Sequence, residues 1–180
     1  NIIYNMKVLI IFSSGKIGGA ERSLTLMSQY SIMNLNTKYV LASIGGEGEW
    51  SNWVRSLNIN PLITSPGKSS IMDMIDITKF IKNSDFDVVY AIGLRLSLVL
   101  RLLKFTLRMK YTLIHGVRWV PNGTNSLDVA TRFIERVSNK FIDGYISNSR
   151  ACKSVLEKNS KIDSSKVFTI YNGVKKIDKF

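Results

Sequence analysis

Two adjacent glycines, Gly18 and Gly19, close a short loop through Ser13, Ser14, Gly15, Lys16 and Ile17. The loop joins an apolar run, residues 6–12, to a helix-compatible run holding Leu24, Leu26 and Met27. This order reads as a buried strand, a tight turn and a helix start. The first turn of a helix has unpaired N–H groups and a partial positive charge, and glycine lets a ligand come close to that backbone. The chemistry this spacing suits is anion binding, phosphate above all. A strand–helix turn with no ligand would carry the same sequence. Glu21 falls in the first helical turn, where an acid complements the dipole. His115, the chain's one histidine, closes a second apolar run ahead of Gly116, Val117 and Arg118. Taken alone it reads as a strand-end imidazole bonded to backbone, and Arg118 either holds an anion or is a solvated surface charge. Asn148 and Ser149 follow a third apolar run, where they most simply cap the next helix.

Two nucleotide motifs fail on spacing. A dinucleotide fingerprint needs G-x-G-x-x-G and an acid at the end of the second strand. Here the glycines are Gly15, Gly18 and Gly19, and the second run ends Ala42-Ser43-Ile44-Gly45 without an acid. The triplet Gly67-Lys68-Ser69 resembles the tail of a P-loop, but the first glycine of that motif falls on Leu62.

Strand-like runs at residues 7–12, 39–44, 61–63, 88–92, 111–115, 144–148 and 167–171 alternate with helix-like runs. The latter span residues 19–34, 51–57, 70–83, 94–109, 126–139 and 150–158. The alternation predicts α/β architecture: a Rossmann-like, mostly parallel sheet with helices on both faces. Ligands in such folds sit at the carboxyl ends of the strands, so the residues after each strand carry the chemistry. Residues 45–49 (GGEGE) and 121–125 (PNGTN) read as surface turns, the first also suiting a flexible lid. Asn172-Gly173 suits a turn with positive φ.

The chain has 180 residues, 45% of them hydrophobic, enough for one domain with a core. Residues 1–90 hold 8 Lys/Arg against 7 Asp/Glu, and residues 91–180 hold 17 against 6, so nearly all of the net charge of +12 lies in the second half. Such asymmetry calls for an anionic partner: nucleic acid, anionic lipid or a phosphorylated substrate. A basic nucleic-acid-binding α/β domain is the rival reading. Against it, the positive residues are not expected to interleave with exposed aromatics and no RNA-binding motif occurs, so no nucleic acid is expected. One cysteine, Cys152, and one histidine exclude an intrachain disulfide and a zinc site of ordinary spacing. No run is long enough for a spanning helix or a signal peptide. Met6 reads as a natural start, and a cytoplasmic protein is expected.

In its ordered motifs the chain resembles glycosyltransferase family 4, whose members have the GT-B fold. The resemblance rests on Gly18-Gly19-Ala20-Glu21-Arg22-Ser23-Leu24 after the first strand and His115-Gly116-Val117-Arg118 at the end of a later one. It continues through Ile146-Ser147-Asn148-Ser149 before a helix and the strand running from Lys166 to Asn172-Gly173-Val174. It covers roughly residues 6–175, with Lys175 departing from a frequent Asp. It implies one half of a GT-B fold. Residues 6–175 would be a Rossmann-like N-terminal acceptor domain, and the C-terminal nucleotide-sugar domain would be absent from this chain, leaving the fragment inactive alone. The implied activity is retaining transfer of a sugar from a nucleoside diphosphate sugar to a glycan or lipid-linked acceptor, in bacterial surface polysaccharide synthesis. In that setting the amides near Gly18 and Gly19, with Arg118, would face a donor or acceptor phosphate, and His115 would be catalytic beside the reacting sugar. Ser14, Glu21, Asn148 and Ser149 would line the cleft. No metal and no cofactor beyond the donor substrate is expected.

The helix expected over residues 94–109 carries apolar stripes on two sides with Arg101, Lys104 and Arg108 between them. A basic stripe flanked by apolar ones suits the anionic inner face of a membrane, which predicts peripheral contact through those three residues. A helix sandwiched within the domain, its basic stripe solvated, fits the same pattern.

Overall fold

Within Met6–Phe12 (β1), Leu9 and Ile11 face one side of a sheet and Val8, Ile10 and Phe12 the other, and all five are buried. A strand apolar on both faces belongs at the centre of a parallel sheet. The computed structural model, which describes residues 6–34, 37–44, 46–64, 70–118 and 126–173, places it there. The strands are β1, β2 (Thr37–Ser43), β3 (Leu62–Ile63), β4 (Val88–Ile92), β5 (Thr112–Val117), β6 (Gly144–Ser147) and β7 (Val167–Thr169). They pair in parallel in the order β3-β2-β1-β4-β5-β6-β7. The helices are α1 (Gly19–Asn34), α2 (Glu49–Ser56), α3 (Ser70–Lys82), α4 (Leu94–Thr106), α5 (Ser126–Ser138) and α6 (Arg150–Asn159).

The sheet lies between two apolar layers. Leu24 of α1 with Trp50 and Val54 of α2 covers the face of Val8, Ile10 and Phe12. Trp50 meets Phe12 edge-on at 5.0 Å and donates its indole N–H to Thr25, so it is a core residue. Ile77 and Ile81 of α3, Leu96 and Leu100 of α4 and Leu156 of α6 cover the face of Leu9 and Ile11. Among the described residues, none of α5 belongs to either layer.

The turn over residues 46–49, which also suited a flexible lid, is packed in place. Within residues 46–49, Gly48 packs on Gly15, Trp50 donates its N–H to the Gly15 carbonyl, and Glu47 pairs with Arg55. Neither Asn172 nor Gly173 has positive φ; the Asn172 side chain instead accepts from Arg118 at 2.6 Å. Gly45, the Gly67-Lys68-Ser69 triplet, Trp119, the turn at 121–125, Val174 and Lys175 lie outside the described residues.

In β5, Gly116 is fixed by packing. A Cβ there would stand 2.4 Å from Ile92 Cδ1 and 2.9 Å from Tyr90 Cε2, both in buried side chains. Overpacking of this kind costs about 1–3 kcal/mol. Gly116→Ala is expected to lower the unfolding free energy read from urea titration by that much, moving the midpoint down without changing the slope.

Candidate active site at the carboxyl edge of the sheet

At the carboxyl ends of β1, β4 and β5 a cavity of about 400 Å³ opens. Gly19, Ala20 and Glu21 reach it from the start of α1, Gly93 and Leu94 from the start of α4, and His115 to Arg118 from the end of β5. Thr131, Arg132 and Glu135 of α5 form a further wall. Gly93 has φ of 104° and caps α4 without a side chain. That backbone region favours glycine, and a Cβ would also stand 3.1 Å from Ser13 Oγ.

The structure brings together Gly19, Glu21, His115 and Arg118 among the residues expected from sequence. It separates others. Gly18 does not line the cavity, and its amide donates to Glu21 Oε2 at 3.1 Å. A carboxylate already sits where a phosphate was expected, so the first helical turn offers the Gly19 side of the bend only. Ser14, Asn148 and Ser149 stand away from the cavity. Ser149 is the N-cap of α6, its Oγ accepting from the Cys152 amide at 3.2 Å, which is the local use its type favours.

His115 is not at the strand's end. β5 runs on to Val117, and His115 pairs in register between Ala91 and Tyr145. Its side chain is buried against a polar network that crosses two helices. Arg101 of α4 donates Nη1 to Glu135 Oε2 at 2.9 Å and Nη2 to Oε1 at 3.1 Å, a two-pronged ion pair, and donates Nη1 also to Ser138 Oγ at 2.6 Å. Tyr145 donates its hydroxyl to Glu135 Oε2 at 3.0 Å. His115 Nδ1 lies 3.2 Å from Glu135 Oε1 and 3.2 Å from Arg101 Nη2. A proton on Nδ1 donates to the carboxylate; a bare Nδ1 accepts from the guanidinium. Either way Nδ1 is engaged, and Nε2 has no hydrogen bond among the described residues. The network fixes the ring through Nδ1.

Burial works to raise the Glu135 pKa, but the hydrogen bond and charge of His115, then the Arg101 guanidinium, outweigh it and hold the carboxyl down at about 2. Burial, then the Glu135 charge, pushes the Tyr145 hydroxyl far above its ordinary value, so Tyr145 stays a donor. No group of three or more metal-ligating side chains occurs among the described residues.

The network overturns the expected membrane stripe. Arg101 is 1% exposed, because Glu135 supplies its counter-charge from α5. Lys104 pairs with Asp143 and lies over the Tyr111 ring. Arg108 falls beyond the end of α4 with φ of 49°. The three do not form one exposed face. Glu135, Thr131 and Arg132 were missed in the sequence. The signal available was the pairing of Asp128 with Glu135, two turns apart and opposite the apolar residues of the same helix.

Residues 17–176 match glycosyltransferase family 4. No curated protein matches the chain in sequence. Among solved structures, HepE of Anabaena, crystallised with UDP and glucose, is similar over 94% of this chain and 45% of its own, at 19% identity and TM-score 0.74. A glycosyltransferase from Rickettsia africae is similar over 95% and 44%, at 20% identity and TM-score 0.69. A UDP-GlcNAc 2-epimerase from Neisseria meningitidis, bound to UDP-GlcNAc, is similar over 93% and 46%, at 15% identity and TM-score 0.65. The chain thus spans less than half the length of each of these structures. Since transferases and an epimerase share this fold, the fold alone does not select the reaction. The match along the sequence does separate them: the chain belongs to glycosyltransferase family 4.

Proposed function

We propose that this chain is the acceptor-side domain of a retaining glycosyltransferase that moves a sugar from a nucleoside diphosphate sugar to a glycan or lipid-linked acceptor in surface polysaccharide synthesis. The observation that supports it best is the cavity where the Gly19 turn, the α4 start, His115 and Arg118 converge in a member of this family. Backbone N–H groups at Gly19 and the Gly93–Leu94 turn, with the Arg118 guanidinium, would stabilise negative charge on a departing diphosphate or on an acceptor phosphate. His115 Nε2 would hold a hydroxyl of the reacting sugar or its acceptor, its ring kept in place by Glu135 and Arg101. The solved structures with UDP, glucose or UDP-GlcNAc support a nucleotide sugar as the class of donor.

The test uses the protein expressed from its complete coding sequence. It is offered a panel of nucleoside diphosphate sugars, and released nucleotide and product anomer are both measured. One donor should be consumed with its anomeric configuration kept. Consumption of none, or release of a free epimerised sugar, would overturn the reading.

A further inference from the structure

Side chains alternate along a strand, so Ile114, Gly116 and Arg118 leave β5 and its end on one side. Ile114 packs into the apolar layer beneath α1, which puts Arg118 on that side too. Gly116 lies between them, and the Tyr90 hydroxyl sits over it, 3.0 Å from where a Cβ would stand. The Arg118 charge reaches this hydroxyl. Burial raises the Tyr90 pKa, and Arg118 offsets part of the rise, so Tyr90 stays protonated and neutral. Arg118 also donates Nη1 to Asn172 Oδ1 at 2.6 Å, across 54 positions of the chain. Both of these neighbours are uncharged.

Other cations of the domain are held differently. Arg101 faces Glu135, Arg55 faces Glu47 and Lys104 faces Asp143, so a carboxylate offsets each charge. No carboxylate pairs with Arg118 among the described residues. Its Nε is buried and has no hydrogen-bond partner among them. Buried polar atoms without a partner are few in folded proteins, and each asks for a reason.

Position supplies the reason. Arg118 borders the cavity beside Gly19 and also a second cavity of about 680 Å³, between α1 and the residues after β7. Tyr90 and Asn172 border only the second. They therefore hold the guanidinium from behind, without taking the space beside Gly19. A carboxylate at position 172 would fix the same side chain, but it would cancel the charge that draws phosphate.

We propose that Asn172 is a positioning residue: its neutral amide oxygen aims Arg118 at the candidate active site and leaves the guanidinium charge whole for a phosphate-bearing ligand. The inference rests on the proposed function in placing phosphate there. It adds a residue that does not itself touch the substrate.

The experiment measures binding of inorganic pyrophosphate to the complete protein by calorimetry, together with the thermal midpoint. Asn172→Asp exchanges the amide for a carboxylate of the same size. It should weaken pyrophosphate binding by about tenfold or more, while the thermal midpoint holds or rises because an ion pair replaces a neutral contact. Asn172→Ala keeps the charge and frees the side chain, so binding should weaken only about threefold. In an Arg118→Gln background Asn172→Ala should cost nothing further, since no cation is left to aim. Native binding by Asn172→Asp, or a fall in thermal midpoint for Asn172→Ala with binding unchanged, would reduce Asn172 to a stabilising contact and overturn the inference. Pyrophosphate that fails to bind the native protein, or that binds Arg118→Gln as well as the native protein, would overturn it too. If the variants rank as expected but no nucleoside diphosphate sugar is consumed, the proposed function fails and the role of Asn172 stands.

Discussion

Glu135→Ala is expected to destabilise the fold by roughly 3–5 kcal/mol, the cost of leaving a buried cation without its partner. Arg101 is 1% exposed and both of its Nη atoms are directed at the Glu135 carboxylate, so no solvent can replace what is removed. His115 and Tyr145 lose their shared acceptor at the same time. A thermal midpoint lower by on the order of 10 °C is the expected reading. The same group sets an acid limit. Its carboxyl titrates at about 2 in the folded chain against an ordinary 4.5. A depressed folded value means the ionised form stabilises the fold above pH about 4.5, and that contribution is lost as pH falls towards about 2. Glu135→Gln should flatten this acid limb in urea titrations. Replacing both partners, Arg101→Met with Glu135→Leu, should recover most of the stability lost by Glu135→Ala, because the penalty lies in the unpaired charge. Equal damage from the double variant would show that the pair itself, and not its breakage, matters.

His115→Ala in the complete protein is expected to lower turnover by about 10²–10⁴-fold, the range for removing a positioned proton-transfer or hydrogen-bonding side chain. The loss should fall on kcat more than on KM, since Nε2 is one contact among many for a substrate but the one directed group of the β5 wall that can exchange a proton. Glu135→Gln offers the contrast. It should shift the pH profile of turnover by changing what Nδ1 meets, without removing the ring. If His115→Ala left turnover intact, the cavity would have no part in catalysis.

Much of the architecture was legible because parallel strands buried on both faces leave short uninterrupted apolar runs. The runs at β1, β4 and β6 begin and end within a residue of their expected bounds. The site was legible only in part. Gly19, Glu21, His115 and Arg118 could be placed because residues following parallel strands must gather at one edge of the sheet. The Gly18 amide could not, since whether Glu21 folds back over it depends on a rotamer and not on spacing. The Arg101–Glu135 pair was hidden for a different reason. A cation in an apolar helix reads as a surface stripe until the residue 34 positions later that neutralises it is known to lie opposite. Once that pair is inside, the apolar side of α5 must turn outward, which periodicity alone would have assigned to the core.

The most direct measurement is a crystal structure of the complete protein with a nucleoside diphosphate sugar that it turns over slowly. The account predicts a sugar hydroxyl or diphosphate oxygen within hydrogen-bonding reach of His115 Nε2, with the ligand filling the cavity beside Gly19 and Gly93. A nucleotide sugar bound elsewhere, with that cavity holding only solvent, would contradict it.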